Sequence, residues 1–212
     1  MRLTSILTAA ALLACLTPLA AKSQTDTALK LTTTVPQAAA EFRAGVNDWQ
    51  NFSPEASASH FAAAIKADPN FGLARVMYAN AATVAGELTR AKALSEINRG
   101  VADAAAHGNT HELLLAAAYR EAFQNNQRVA GELFAAAAHL MPADRMAAAN
   151  AIGATADPNN PVPALRDFIA RNPDYAPAYN TYAYNLWTQG DRAAALAAAK
   201  KQIELNPNAP NP

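Results

Sequence analysis

One stretch of this sequence gathers side chains that could hold a metal. "HGNTHELLLA" places His107, His111 and Glu112 close together, and histidine with carboxylate is a zinc-binding donor set. A helical zinc-hydrolase motif needs a second histidine four residues after the first, on the same helix face. Leu115 stands there instead, so the motif fails. His107 and His111 also straddle Gly108–Asn109, where a helix should break, and Thr110 and Glu112 suit the first turn of the next one. A polar turn explains the segment better than a metal site. His60 and His139 have aromatic or leucine neighbours and are expected at helix surfaces or boundaries.

Other reactive arrangements are missing. The sequence contains no glycine-rich phosphate loop and no G-x-S-x-G turn. Its single cysteine, Cys15, lies in an N-terminal leader. No catalytic residue, metal or cofactor is therefore assigned, and the chain is not expected to be an enzyme.

The leader runs "MRLTSILTAAALLACLTPLAAKSQ". One positive charge at Arg2 precedes the mostly apolar run Leu3–Leu16, followed by Pro18 and small residues at Ala21 and Ser23. Such a run is shorter than the ~20 residues a membrane-spanning helix needs, and it fits an export signal over residues 1–23. Cleavage after Ala21 or Ser23 would give a periplasmic or secreted protein. The alternative is "LLAC", Leu12–Cys15, which resembles a bacterial lipobox and would make Cys15 a lipidated N-terminus on a membrane-anchored lipoprotein. With one cysteine, no intramolecular disulfide can form under either outcome.

Without Arg2 and Lys22, 15 basic residues face 17 acidic ones, and no basic block occurs. Nucleic acid and anionic membrane surfaces are poor partners for such a chain. Of its 212 residues 51% are hydrophobic, but 56 are alanine. Few large side chains remain for one deep core. Alanine favours helix and permits close helix approach, so thin helical layers are expected.

Residues 24–35 are threonine-rich, without bulky periodicity, and are expected to form a flexible tether. Beyond Pro36 the pattern alternates helix and turn. "QAAAEFRAGVNDWQN" and "SPEASASHFAAAIKAD" form the first expected pair, with Ser53 as a candidate cap, Pro54 in the first turn and Pro69 as the stop. Phe61, Ala64 and Ile65 share one face of the second helix. Prolines 69, 142, 173 and 207 stand 73, 31 and 34 residues apart. Taking 73 as two units, the mean is near 34, a repeat-like period.

In windows counted from these prolines, the chain resembles the tetratricopeptide repeat family. The window from Ala38 offers Gly45, Ser57, Phe61, Ala64 and Pro69 at the eighth, twentieth, twenty-fourth, twenty-seventh and thirty-second places. The window from His111 offers Ala118, Ala130, Phe134, Ala137 and Pro142, with Leu114 at the fourth. The window from Ala176 offers Tyr179, Tyr182, Ala183, Leu186, a turn at Gln189–Asp191, Ala195 and Pro207. Units 72–110 and 145–175 match less well, the first relying on Leu94, Ile97 and Val101 and the second shortened around Asp157–Pro163. The resemblance implies an all-α, right-handed superhelix of antiparallel helix pairs, a TPR-like α-solenoid over residues 36–212. Its units would be 38–71, 72–110, 111–144, 145–175 and 176–209.

The resemblance also implies a concave groove that binds a protein or peptide. Carried over place by place, it would present Phe42, Val46, Trp49 and Gln50; Val76, Asn80 and Thr83; Glu112, Leu115, Tyr119, Ala122 and Phe123; and Asn180, Tyr184, Trp187 and Thr188. Asn80, Tyr119, Phe123, Asn180, Tyr184 and Trp187 are the principal candidates. The Lys, Asn and Arg set with which some relatives grip a C-terminal carboxylate is missing, so an aromatic groove for an apolar segment is expected. Core packing is the competing explanation for aromatics at helical spacing. Leu196 and Ile203 on the last helix are expected to face a following helix, which implies a longer repeat protein, with any enzymatic part elsewhere, or a partner or second copy that covers them. The expected role is a non-catalytic scaffold of the cell envelope, or a lipid-anchored adaptor there. Neither partner identity nor oligomeric state follows from the sequence.

Overall fold

Alanine-rich stretches interrupted by proline and turn residues set the helix boundaries. In the computed structural model, which describes residues 29–155, 157 and 160–207, there are ten helices and no strand among the described residues. They are α1 (Pro36–Gln50), α2 (Pro54–Ala67), α3 (Gly72–Val84), α4 (Arg90–His107), α5 (Thr110–Phe123), α6 (Gln127–Leu140), α7 (Arg145–Thr155), α8 (Val162–Arg171), α9 (Ala176–Thr188) and α10 (Arg192–Leu205). The leader, Cys15 and residues 208–212 lie outside the described residues.

Helices adjacent in sequence pack together, α1 on α2, α3 on α4, α5 on α6 and α9 on α10, and α2 stacks on α3. In the first hairpin the small residues do what their places imply. Ser57 Oγ donates a buried hydrogen bond to the Gly45 carbonyl at 2.8 Å. A Cβ on Gly45 would stand 2.8 Å from the Phe61 ring. Phe42 lies between Phe61 and Phe71, with centroids 5.5 and 4.8 Å away. In the second hairpin α3 and α4 meet backbone to backbone, since a Cβ on Gly72 would stand 2.4 Å from the Gly100 carbonyl oxygen. Ser53 makes no side-chain cap bond, contrary to expectation; α2 starts on Pro54.

Four helix-to-helix turns share one backbone device. Phe52, Gly86, Asn125 and Gly190 all have positive φ, at 59°, 78°, 66° and 89°. Each occupies the fifteenth place of its unit, counting from 38, 72, 111 and 176. Each donates its N–H to the carbonyl three residues back, and the next N–H reaches five back, as in Phe52 to Trp49 (3.2 Å) and Ser53 to Asp48 (3.0 Å). This is the Schellman closure of a helix C-terminus, whose left-handed residue is usually glycine. The unit 145–175 departs from the pattern: α7 packs mainly on α6, α8 on α9, and α7 and α8 barely touch. The expected antiparallel pairing does not hold there.

The expected tether is corrected over its described part. Residues 29–35 lie against the repeats, with Leu29 buried. The buried Glu112 carboxylate accepts the Thr32 N–H at 2.8 Å and also the Thr32 hydroxyl. Asn109 Nδ2 donates to the Lys30 carbonyl at 2.9 Å, and Thr33 Oγ1 donates to Asp68 at 2.5 Å. The segment thus ties the α2–α3 turn to the start of α5. Glu112→Ala should cost about 1.5–3 kcal/mol, because it removes the charged acceptor of two hydrogen bonds from Thr32. Denaturant melts measure the loss, and hydrogen exchange at the Thr32 amide should accelerate in the same variant. A Thr32 amide that already exchanges freely in the unaltered protein would contradict the docking.

Candidate functional site

The stack curves until its ends meet. Asn206, just after α10, donates from Nδ2 to Asn51 Oδ1 in the α1–α2 turn, 155 residues away. Between the ends is a cavity of about 400 Å³. Trp49, Gln50 and Phe52 line it from the first hairpin; Tyr119, Ala122, Gln127 and Phe134 from α5 and α6; Met146, Ala149, Asn150 and Gly153 from α7; and Leu165, Tyr175, Pro177, Ala178 and Thr181 from α8 and α9. None of these side chains is an acid or a strong base. Gln50 leaves its buried Nε2 without a hydrogen-bond partner. Arg145 stacks on the Tyr175 ring at 4.9 Å and pairs with Asp174 at 3.0 Å.

Tyr119 borders this cavity as a core residue, which corrects its expected exposure in a groove. It is 7% exposed, with its ring edge-on to Phe134 at 5.0 Å. Asn150 Nδ2 donates to its hydroxyl at 3.2 Å, and the hydroxyl approaches Met146 Sδ at 3.6 Å. Burial, and then the charge of Asp144, hold the phenol well above its ordinary 10.0, while the Asn150 hydrogen bond offsets part of that shift. Phe42, Val46, Val76, Glu112 and Leu115 are likewise buried and do not form a groove. Phe123 is half-buried under Arg90, whose guanidinium carbon lies 4.6 Å from the ring centroid. Asn80 turns back on its own helix, donating to the Val76 carbonyl at 2.9 Å. Neither Phe123 nor Asn80 lines the cavity.

Asn180, Tyr184 and Trp187 come together elsewhere. With Leu196, Lys200 and Ile203 they border a second, more open hollow of about 490 Å³ between α9 and α10. Tyr184 is 69% exposed and Trp187 57%. Asn180 Nδ2 donates to Gln202 Oε1 at 3.2 Å, and Arg192 stacks on Trp187 at 4.8 Å. The hollow has a sequence cause. Phe61 and Phe134 fill the twenty-fourth place of their units, whereas the last unit has Ala199 there, and Ala199 lines the hollow. The exposed aromatics and the uncovered Leu196 and Ile203 therefore belong to one surface.

The chemical arrangements are sparse. His111 Nε2 stands 3.0 Å from Asp144 Oδ2, both side chains buried, so His111 is not part of an exposed polar turn. Asp144 Oδ1 meanwhile accepts the Ala147 N–H at 2.9 Å and caps α7. Among the described residues no group of three His, Cys, Asp or Glu side chains could hold a metal ion. Among the same residues no helix is long and apolar enough to cross a membrane. Gln50 and Phe52 contribute to the cavity in ways that residue type alone does not disclose, and only Gln50 sits at an expected groove place.

No family model matches the chain, and no curated protein does. Among solved structures it is similar to the crystal structure of MamA protein at 14% identity, with a TM-score of 0.41 over 81% of this chain and 92% of that one.

The Tyr119 phenol gives a pH-dependent signature of this site. An unfolded tyrosine ionises near pH 10, whereas folded Tyr119 resists doing so. Its contribution to stability is fully present below pH ~10 and is lost as pH rises further, because ionisation then favours the unfolded chain. Denaturation midpoints measured from pH 8 to 11 should fall above pH 10, and Tyr119→Phe should flatten that fall. An equal fall in both proteins would rule Tyr119 out as its source.

Proposed function

We propose that this chain is a non-catalytic scaffold of the cell envelope that holds an uncharged segment of another protein on the concave side of its tetratricopeptide-like stack. The observation that carries the proposal is the cavity where the two ends meet. It is apolar, bordered by aromatic rings from several units, and of the size at which pockets bury ligands or side chains. Trp49, Gln50, Tyr119 and Ala122 stand on its wall at the places that the repeat resemblance assigns to a concave surface. Aromatic side chains there supply contact area with little conformational entropy to lose.

The envelope assignment rests on the leader, whose short apolar run and small-residue cleavage region suit export and release as a periplasmic protein. Mass analysis of the mature N-terminus should find Lys22 or Gln24; a diacylated Cys15 would instead establish the lipid-anchored form. Binding is tested by placing a photo-crosslinking benzoylphenylalanine at Thr181, on the cavity wall, or at Arg128, exposed on α6. A discrete envelope protein should be captured through Thr181 and not through Arg128. The purified pair should then bind at least ten-fold more weakly when Thr181→Glu puts an uncompensated charge into the uncharged wall, with the melting temperature unchanged. No capture from Thr181, or a complex indifferent to Thr181→Glu, would refute the proposal.

A further inference from the structure

The face that α9 and α10 share has two counterparts inside the molecule, and both are covered. Tyr184 stands at the ninth place of its unit, as Val46 and Tyr119 do in theirs. Leu196, Ala199 and Ile203 stand where the first unit has Ala58, Phe61 and Ile65. A single helix lies over each earlier face. In the first unit α3 packs on α2, and Phe71 at its start meets the Phe42 ring with centroids 4.8 Å apart. In the third unit α7 packs on α6, and its Met146 and Asn150 approach the Tyr119 hydroxyl at 3.6 and 3.2 Å. Those two residues are one helical turn apart, so one stripe of α7 makes both contacts. No described element covers α9 and α10 in this way, and Tyr184, Trp187, Leu196 and Ile203 are all exposed.

The uncovered face also differs from its counterparts in size and charge. Leu196 stands where the earlier units have the small Ala58 and Gly131, whereas Ala199 stands where they have Phe61 and Phe134. The recess at Ala199 is thus left for a side chain that an incoming helix would bring. Lys200, exposed on the border of the hollow, stands where they have Ala62 and Ala135. Among the described residues no carboxylate lines the hollow. The acids nearby are engaged: Asp191 caps α10 through the Ala194 N–H at 3.1 Å, and Glu204 pairs with Lys201 at 3.0 Å. Arg192, stacked on Trp187, adds a second cation. An apolar recess with a cationic border complements an apolar helical stripe flanked by acids.

We infer that this face docks an amphipathic helix of a second protein, laid over α9 and α10 as α3 and α7 lie over the earlier units. A bulky apolar side chain of that helix fills the recess at Ala199, and a carboxylate beside it meets Lys200. Two other occupants fit less well. A second copy would set Lys200 and Arg192 against the same cations, and its remaining large exposed apolar residues, Phe52, Val84 and Leu140, stand singly on separate elements. The chain's own leader carries Arg2 and Lys22 and no acid. The cavity at the meeting of the ends is a different site, so this inference and the cavity proposal can fail separately.

The probe is a synthetic alanine-based peptide of about four helical turns, with leucines at i, i+3, i+4 and i+7 and glutamates beside the stripe. Titrated into the full mature chain, it should shift the Trp187 indole N–H saturably in NMR spectra and leave Trp49, in the cavity, unmoved. The same peptide with lysines for glutamates should bind roughly five-fold more weakly, the size of effect an exposed ion pair supplies. Lys200→Glu should reverse that preference. Ala199→Phe, which installs the filler of the earlier units, should weaken the glutamate peptide roughly ten-fold with the melting temperature not lowered.

Shifts at Trp49 alone, or no saturable shift, overturn the docking site. Equal affinity for the two peptides in both the unaltered chain and Lys200→Glu overturns the acidic helix. A dimer of the unaltered chain that Ala199→Phe dissociates would assign the face to a second copy instead. Displacement of the glutamate peptide by a peptide of residues 1–23 would assign it to the leader. If Ala199→Phe does not fold, Lys200→Glu, altered only at the exposed border, decides alone.

Discussion

A hairpin built mostly from alanine can bury little by itself, and the other features of this molecule answer that constraint. Small residues let paired backbones touch, as where Ser57 bonds to the Gly45 carbonyl and where Gly72 meets Gly100. Close approach reduces the volume to be filled, so a few aromatics complete the packing, with Phe42, Phe61 and Phe71 as the densest group. Apolar surface not covered inside a hairpin is covered by the next one, which is the logic of repeat arrays. Where a filler is missing the result is a hollow: Ala199 stands where Phe61 and Phe134 fill the earlier units, and it lines the open space bordered by α9 and α10.

Local signals carried most of the helical plan. Prolines, small residues and period-3.6 stripes lie close enough to the helix ends to place the units, since each signal acts through nearby backbone atoms. The turn register was also visible in part: Gly86 and Gly190 are ordinary residues for a left-handed turn, whereas Phe52 in the equivalent place is an exception that residue preference would not suggest. The failed pairing of α7 with α8 has a sequence correlate in the shortened, proline-rich segment, but its packing consequence depends on α6 and α9.

Long-range contacts were not legible. Glu112 is a first-turn acid of α5, as its sequence neighbours favour, but nothing local discloses that its carboxylate also accepts two hydrogen bonds from Thr32, 80 residues away. Residues 29–35 dock through the hydrogen bonds of their threonines and through alternate apolar side chains, Leu29 in the core and Leu31 and Val35 packed against it. Tyr119, Tyr184 and Trp187 are alike by residue type and place in the repeat, yet one is core and two are exposed. The difference lies in their neighbours. Tyr119 is covered by Phe134 and α7, whereas no described element packs over Tyr184 and Trp187.

The meeting of Asn206 with Asn51 makes the cavity a collective property of the stack. In an open superhelix, a small change in the angle between neighbouring units displaces the far end and costs little. Here the same change also works against the Asn206–Asn51 seam contact, on which each small rotation acts through the lever arm of all the units beyond it. The width of the cavity is therefore a readout of summed interface angles, and a substitution at a distant interface can alter it without touching its wall. Conversely, an occupant that spreads or draws in the seam would transmit its presence to the outer surface of every unit as a change in curvature.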